Sequence, residues 1–113
     1  VEHIVVTHAM LAPSLMPIAD MQQAAKLGAY IEFVYNALIG PNKMFEIKQY
    51  VEAMRQIGPD SCIVSSDLGQ AGNPLHPDGL IKFLSELKDH GLSLGEIDKM
   101  AKTNPAKLLG LPQ

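Results

Sequence analysis

The sequence predicts an α/β fold made of parallel strand–helix units, and three observations support this prediction. The apolar pattern alternates repeatedly between the period of a strand and that of a helix. The first strand is a near-continuous β-branched run, which is typical of a strand covered on both faces. The connections are short, and regular alternation with short connections implies parallel strands joined by right-handed crossovers. The predicted element order is β-α-β-α-β-α-α-α.

The first unit combines a strand from His3 to His8 with a helix from about Pro17 to Leu27. The segment between them, Ala9 to Pro17, contains two prolines and is predicted as a loop. Gly28 follows the last apolar position of the helix, where a left-handed cap residue is expected.

The second unit begins with a strand from Ala29 to Ala37, rich in aromatic and β-branched residues. Alternation sends its residues to two faces: Ile31, Phe33 and Tyr35 to one, and Tyr30, Glu32, Val34 and Asn36 to the other. After a Gly-Pro turn, Asn42 is predicted as the N-cap of a helix that ends near Ile57. The inward stripe of that helix is Met44, Ile47, Val51 and Met54.

The third unit begins with a strand from Ser61 to Ser66 that ends at Asp67. A turn-rich loop from Leu68 to Pro77 leads into a helix from about Asp78 to His90. The predicted buried positions of that helix are Leu80, Leu84 and Leu87.

Two short helices are predicted at the end of the chain. Ser93 and Glu96 have the spacing of a capping box, which opens a helix through Lys102. Asn104 is predicted as the N-cap of the last helix, which has proline at its first position and ends near Gly110.

The composition is that of an ordinary globular protein, with 47% apolar and 19% charged residues among 113. A net charge of −3 argues against nucleic acid or an anionic membrane as a partner, because both favour a basic face. No apolar run is long enough for a membrane span. Cys62 is the only cysteine, so no internal disulfide is possible, and this favours a reducing, cytoplasmic setting. Its thiol is predicted to be packed and apolar.

Residues 1–113 are predicted to form a single partial domain. Three strands are few for an isolated sheet, because two of them would be edges with unpaired backbone groups. The chain begins at Val1 without Met and enters a strand pattern by His3. We therefore expect further strands, supplied by an N-terminal part or by another chain.

Potential metal ligands end two of the strands. His8 closes the first strand and Asp67 closes the third. Because the loops after parallel strands converge on one face, these two residues suggest half of a metal-assisted hydrolase site. The alternatives are that His8 hydrogen-bonds a neighbouring loop, and that Asp67 caps a helix or braces a loop.

Two segments resemble the end of an amidohydrolase-superfamily barrel. One is the third unit, with its Ser65-Ser66-Asp67 strand end and its Asn73-Pro74-Leu75-His76-Pro77 loop. The other is Asn104-Pro105-Ala106-Lys107-Leu108-Leu109-Gly110-Leu111, which is similar to an ending common in metal-dependent hydrolases of that superfamily. The resemblance implies that the strands are the sixth, seventh and eighth of a TIM-type (β/α)8 barrel, closest to an uncharacterised cytosolic branch.

The resemblance also implies roles for the two strand-end residues. His8 matches the histidine of the sixth strand, which binds metal or substrate. Asp67 matches the aspartate of the eighth strand, which touches the metal and accepts a proton from its water. The ligands that the family carries on its first, fourth and fifth strands have no counterpart in this chain. Zinc is the expected metal, with manganese or iron as alternatives.

Three other residues are candidates from their positions alone. His76 is placed to contact substrate or to support a ligand, and the alternative is a solvent-facing loop histidine. Asn36, near the carboxyl end of the second strand, is a candidate for orienting substrate. Glu32 lies mid-strand, where an unpaired carboxylate is costly. We expect Glu32 to pair with a Lys or Arg from the missing part of the barrel, with a catalytic role as the alternative.

The resemblance, together with the two strand-end residues, implies a metal-dependent hydrolase that acts on a small-molecule C–N, ester or related bond through a metal-activated water. The chain supplies only part of the site, and a homo-oligomer is compatible with this interpretation. The alternative function is a non-catalytic α/β binding or assembly module that pairs its strand edges with another chain. A third interpretation is a small flavodoxin-like domain, which the low strand count and the lack of a phosphate loop disfavour.

Overall fold

The computed structural model describes residues 2–112 and has an α/β architecture. Its sheet has three parallel strands in the order β1-β2-β3. The elements are β1 (Val5–Val6), α1 (Ile18–Lys26), β2 (Tyr30–Val34), α2 (Ile47–Ile57), β3 (Cys62–Ser65), α3 (His76–Asp89), α4 (Leu94–Asp98) and α5 (Asn104–Leu108). The predicted α/β class with parallel strands is confirmed. No helix of residues 2–112 is long and apolar enough to cross a membrane.

The helices pack as a continuous layer along the sheet. Helix α1 contacts α2, α2 contacts α3, and α3 contacts α4. Phe33 of β2 meets Tyr50 of α2 edge to face, with ring centroids 5.2 Å apart. Tyr35 stacks on Phe83 of α3, with centroids 5.0 Å apart. These aromatic contacts fix α2 and α3 against the strands, and they place the main core on one side of the sheet.

The opposite side of the sheet is only partly covered. Tyr30, Glu32 and Ser65 of that side keep part of their surface exposed, whereas Ile31 and Phe33 on the helical side are fully buried. The predicted alternation of β2 is therefore confirmed for residues 30–33.

Two predicted strands are shorter in the structure, because the chain leaves the sheet early. The strand predicted from His3 to His8 is limited to Val5–Val6, which pair with β2. The strand predicted from Ala29 to Ala37 ends at Val34 and continues as a buried 3₁₀ turn over Tyr35–Leu38. The apolar run continues through that turn because the turn is buried, so hydrophobicity does not mark where pairing stops.

Helices α2 and α3 begin at positions other than those predicted. Asn42 is not an N-cap, because Gly40–Asn42 form a separate 3₁₀ turn and α2 starts five residues later, at Ile47. Glu46 precedes α2, and its backbone N–H donates to Gln49 Oε1 over 2.8 Å. Met44, predicted to face inward, is 45% exposed for the same reason.

The first turn of α3 includes two residues that were predicted to be loop. The helix begins at His76 rather than Asp78, with a proline at its second position. Phe83 and Leu87 are its fully buried side chains, whereas the predicted Leu80 and Leu84 are half-buried.

The end of the chain forms one helical segment instead of two helices. A π-helical turn, Lys99–Thr103, joins α4 to α5 without a break. The predicted capping box is confirmed, since Glu96 N donates to Ser93 Oγ and Ser93 N donates to Glu96 Oε2. The predicted N-cap role of Asn104 is wrong, because that residue has helical dihedral angles and its amide donates to the carbonyls of Pro59 and Cys62.

The folded protein should lose stability as the pH rises from about 9 towards 12. Burial raises the pKa of the Cys62 thiol to about 12. Burial and the adjacent Glu86 carboxylate raise the pKa of Tyr35 to about 12. In the unfolded chain the two groups ionise at their ordinary values of 9.0 and 10.0, so unfolding releases protons in this window and alkali favours it. Below the ordinary values neither state ionises, and this contribution to stability is fully present.

Urea unfolding followed from neutral to alkaline pH measures this effect, and Tyr35→Phe should make the decline shallower. A free energy of unfolding that stays constant across the window contradicts the prediction.

Candidate metal and catalytic site

The two predicted ligands meet at the carboxyl ends of β1 and β3. His8 Nε2 lies 3.2 Å from Asp67 Oδ2, although the residues are 59 positions apart in sequence and β2 lies between their strands. His8 is 39% exposed and Asp67 32% exposed. Both groups therefore contact each other and remain accessible from the end of the sheet.

The backbone turns sharply at both residues. The φ angle is +56° at His8 and +51° at Asp67, in the left-handed region that residues with a Cβ rarely adopt. Such conformations cost about 1–2 kcal/mol each and are enriched at functional sites. Each of these residues follows the end of its strand by two positions, at the place where the two side chains meet.

Asn36 lies in the 3₁₀ turn that follows β2 and contacts Asp67 of the pair. Its Nδ2 donates to Asp67 Oδ2 over 3.1 Å, and its backbone N–H donates to the carbonyl of Ser66 over 3.1 Å. The side chain is only 3% exposed. The structure thus brings Asn36 to Asp67, where its amide holds the carboxylate. The predicted contact of Asn36 with substrate stays a prediction.

Two residues of the loop after β3, which the sequence did not indicate, complete this network. Asn73 Nδ2 donates to Asn36 Oδ1 over 3.3 Å and to Gln70 Oε1 over 2.9 Å. Gln70 Nε2 in turn donates to the carbonyl of Asp67 over 2.9 Å. Gly40 lies beside them with a φ of +63°, and a Cβ there would lie 2.1 Å from Asn73 Oδ1, so a larger residue would displace the Asn73 side chain. The loop after β3 is therefore hydrogen-bonded back to Asp67, directly through Gln70 and indirectly through Asn73 and Asn36.

His76 bonds the residue next to Asp67 and not the pair itself. Its Nδ1 shares a hydrogen bond with Ser66 Oγ, and Ser66 is almost fully buried. The His76 ring is exposed at the first turn of α3. The interaction ties the start of α3 to the end of β3, and the predicted contact with substrate stays a prediction.

Hydroxyl groups from both neighbouring strand segments satisfy Glu32 of β2. Thr7 Oγ1 donates to Glu32 Oε1, and Ser65 Oγ donates to Glu32 Oε2 over 3.2 Å. Thr7 Oγ1 also lies 2.7 Å from His8 Nδ1. Glu32 thus has two hydroxyl partners within the described chain. Its expected pairing with a Lys or Arg from outside the chain stays a prediction. The sequence did not predict the contacts of Thr7, because a threonine within a β-branched run is typical of an ordinary strand.

The residues present fit part of a metal site. One imidazole nitrogen and one carboxylate oxygen are donors that suit zinc, manganese or iron. Catalytic zinc commonly has three protein ligands, and among residues 2–112 no group of three His, Cys, Asp or Glu side chains is close enough to hold an ion. The described chain therefore brings two potential ligands together, and a three-ligand site would need at least one more from elsewhere.

Comparison with known proteins adds no relative: no protein-family model, curated protein or solved structure matches this chain.

Proposed function

We propose that this chain is the C-terminal sector of a metal-dependent hydrolase of amidohydrolase type, with β1, β2 and β3 as the sixth to eighth strands of a (β/α)8 barrel. The observation that carries the proposal is the 3.2 Å approach of His8 and Asp67 at the carboxyl ends of two non-adjacent parallel strands. That end of a barrel sheet is where such enzymes place their chemistry.

The order of the strands supports a barrel over a doubly wound sheet. Each strand pairs with the next in sequence, and the connecting helices contact one another in the same order. Right-handed crossovers between sequential neighbours place every helix on one face, which is the arrangement of a barrel wall. A flavodoxin-like sheet reverses its strand order and carries helices on both faces. The partly exposed side with Glu32 and Ser65 would then be the barrel interior.

The roles follow from the contacts. His8 and Asp67 would hold a divalent metal, zinc in the first instance and manganese or iron as alternatives. When bound, such an ion lowers the pKa of water from about 15.7 to about 7 and polarises the bond under attack. The Asp67 carboxylate accepts the proton of the attacking water and returns it to the leaving group. Asn36 keeps that carboxylate oriented, and His76 together with Asn36 would contact a small substrate with a C–N or ester bond.

The partners follow from the same arrangement. The remaining barrel strands, from an N-terminal part or another chain, would pair with the edges of β1 and β3 and supply the missing ligands. The proposed setting is cytoplasmic, without nucleic-acid or membrane partners, and a homo-oligomer is compatible with it.

A non-catalytic assembly module is the second candidate, and one observation favours it. Exposed apolar side chains flank the partly covered side of the sheet: Ile4 precedes β1, and Leu109 lines a hollow of about 350 Å³ together with Ile63 and Ser65. Another chain could bury these groups without chemistry at His8 and Asp67.

Native mass spectrometry of the protein purified from its own cells, beside its denatured mass, tests the proposal. We expect this sequence inside a larger polypeptide or complex that carries one or two divalent metal ions. That assembly should hydrolyse at least one member of a panel of small amides and esters. A metal-free species of 12.3 kDa, alone or as homo-oligomers, contradicts the proposed function and favours the assembly module.

A further inference from the structure

We propose that a hollow beside the His8–Asp67 pair, lined by Lys43, binds a carboxylate group of the substrate. The hollow has a volume of about 340 Å³ and lies between the segments that follow β1 and β2. Its lining residues are Leu11 and Ala12 on one wall, and Pro41, Asn42, Lys43 and Met44 on the other. The substrate class rests on the proposed function, whereas the anion site rests on the geometry and charge of the hollow.

Hydrogen bonds attach both walls of the hollow to residues of the candidate site. Leu11 N donates to the carbonyl of His8 over 3.0 Å, so the first wall begins one turn after that residue. On the second wall, Met44 N donates to the carbonyl of Ala37 over 2.8 Å. Ala37 directly follows the asparagine whose amide holds the Asp67 carboxylate. The hollow therefore lies at the same end of the sheet as the pair and next to it.

Lys43 is the only lysine or arginine in the three segments that follow the strands, residues 7–17, 35–46 and 66–75. The chain has a net charge of −3, so the protein as a whole repels small anions and a local cation is needed to attract one. None of the six described residues that line the hollow is acidic. One ammonium group and the Asn42 amide balance the single charge of a carboxylate, whereas a phosphate carries nearly two charges.

The remaining walls of the hollow favour a ligand with a small apolar body beside its carboxylate. Leu11 and Met44 contribute most of the apolar surface, and binding sites commonly combine such walls with a few polar groups. The backbone that carries the lysine is fixed, because Lys43 N donates to the carbonyl of Gly40 over 3.2 Å and Phe45 N to that of Ala37 over 3.2 Å. A fixed backbone reduces the conformational entropy that binding costs.

A neighbouring side chain already pairs Lys43 with a carboxylate. Lys43 Nζ lies 3.0 Å from Glu46 Oε1, and both side chains are exposed. Exposed ion pairs of this kind contribute little to stability, so the carboxylate of a ligand can replace that of Glu46 at small cost. Glu46 therefore competes with the ligand for Lys43, and its neutralisation should strengthen binding.

Titration of the ¹⁵N-labelled full chain with N-acetylglycine at constant ionic strength, followed by NMR, tests the anion site. N-acetylglycinamide is the matched control ligand, because it has the same body without the charge. We expect the acid to shift the backbone signals of Leu11 and Met44, and the amide to leave them unchanged at the same concentrations. Equal shifts from both ligands, or none from the acid, overturn the proposal.

Three variants identify the charge that binds the acid. Lys43→Gln should weaken the binding of N-acetylglycine roughly tenfold, because it removes a charge-assisted hydrogen bond. Glu46→Gln removes the competing carboxylate and should strengthen binding. Lys82→Gln removes the same charge as Lys43→Gln from an exposed position of α3, outside the hollow, and should change nothing. If Lys43→Gln binds the acid as tightly as the wild type does, the site is contradicted.

Hydrolysis by the complete assembly distinguishes the substrate class from the proposed function. In pairs of amides and esters that differ by one carboxylate, the acidic member should have the lower KM. Lys43→Gln should raise that KM roughly tenfold with kcat unchanged, because the contact is made equally in the ground and transition states. Equal kcat/KM for both members overturns the substrate class. If N-acetylglycine binds through Lys43 and no member of the panel is hydrolysed, the anion site is supported and the hydrolase function fails.

Discussion

Asp67→Asn should reduce hydrolysis by the complete assembly roughly 10²- to 10⁴-fold, because Asp67 is the proposed general base and such a group usually contributes that much. The amide has almost the shape of the carboxylate, and its oxygen can still accept the hydrogen bond from Asn36 Nδ2, so the fold should be preserved. It cannot accept a proton from water, however, and it is a weaker metal ligand. We expect turnover to fall steeply while part of the metal remains bound, as measured by kinetics and by metal analysis on the same samples.

Asp60→Asn is a matched control because the two aspartates bracket the same strand. Asp60 precedes β3 and pairs with Lys99, which holds the pKa of its carboxyl below the usual range. It lies at the amino end of the strand, away from His8, so its loss should leave turnover and metal content unchanged. Wild-type turnover in Asp67→Asn would remove Asp67 from the role of base, whatever its contact with His8.

The arrangement of the sheet could be predicted because its signals are local. Strand and helix periods alternate in the sequence, and glycines mark where α1 and α3 end. At Gly28 the N–H groups of residues 28 and 29 donate to the carbonyls of Ala25 and Ala24, which is the expected left-handed cap. Parallel pairing of sequential strands then places the carboxyl ends of β1 and β3 at the same end of the sheet. His8 and Asp67 could therefore be predicted to lie at one site.

The interior of the site could not be predicted, because its contacts join residues distant in sequence. Asn36 reaches Asp67 because the chain forms a 3₁₀ turn after Val34. No residue pattern predicted that turn. Asn73 and Gln70 belong to a loop rich in turn residues, where such side chains are expected for local reasons. Their bonds to Asn36 and Asp67 depend on how the loop folds back.

The partners of Glu32 also could not be predicted from the sequence. Alternation correctly placed it away from Phe33, on the partly covered side of the sheet. Its partners required the register of both neighbouring strands: Glu32 is level with Ile63, and Ser65 pairs with Val34. A charged residue in a strand thus predicts that some partner exists, whereas the identity of the partner is a property of the assembled sheet.

Replacing Asn104 by Leu should lower the free energy of unfolding by about 3 kcal/mol. Its amide is 1% exposed and donates to the carbonyls of Pro59 and Cys62 over 2.8 and 2.7 Å. It thereby fastens the start of α5 to the segment entering β3. Leucine has a similar volume but leaves both carbonyls without this donor, and a buried acceptor without a partner costs about 1–3 kcal/mol. Urea unfolding measures the loss, and exposed Asn42→Ala should change stability by less than about 0.5 kcal/mol.

Asn104→Asp distinguishes this role from the N-cap that the sequence suggests. At an N-cap the two residues are nearly equivalent, because either side chain accepts a hydrogen bond from the first helical turn. In the observed position the side chain must donate, and a carboxylate has no hydrogen to give and would face two carbonyl oxygens. Asn104→Asp should therefore destabilise the protein at least as much as Asn104→Leu. An aspartate variant within about 0.5 kcal/mol of the wild type would restore the capping role and remove the link between the tail and β3.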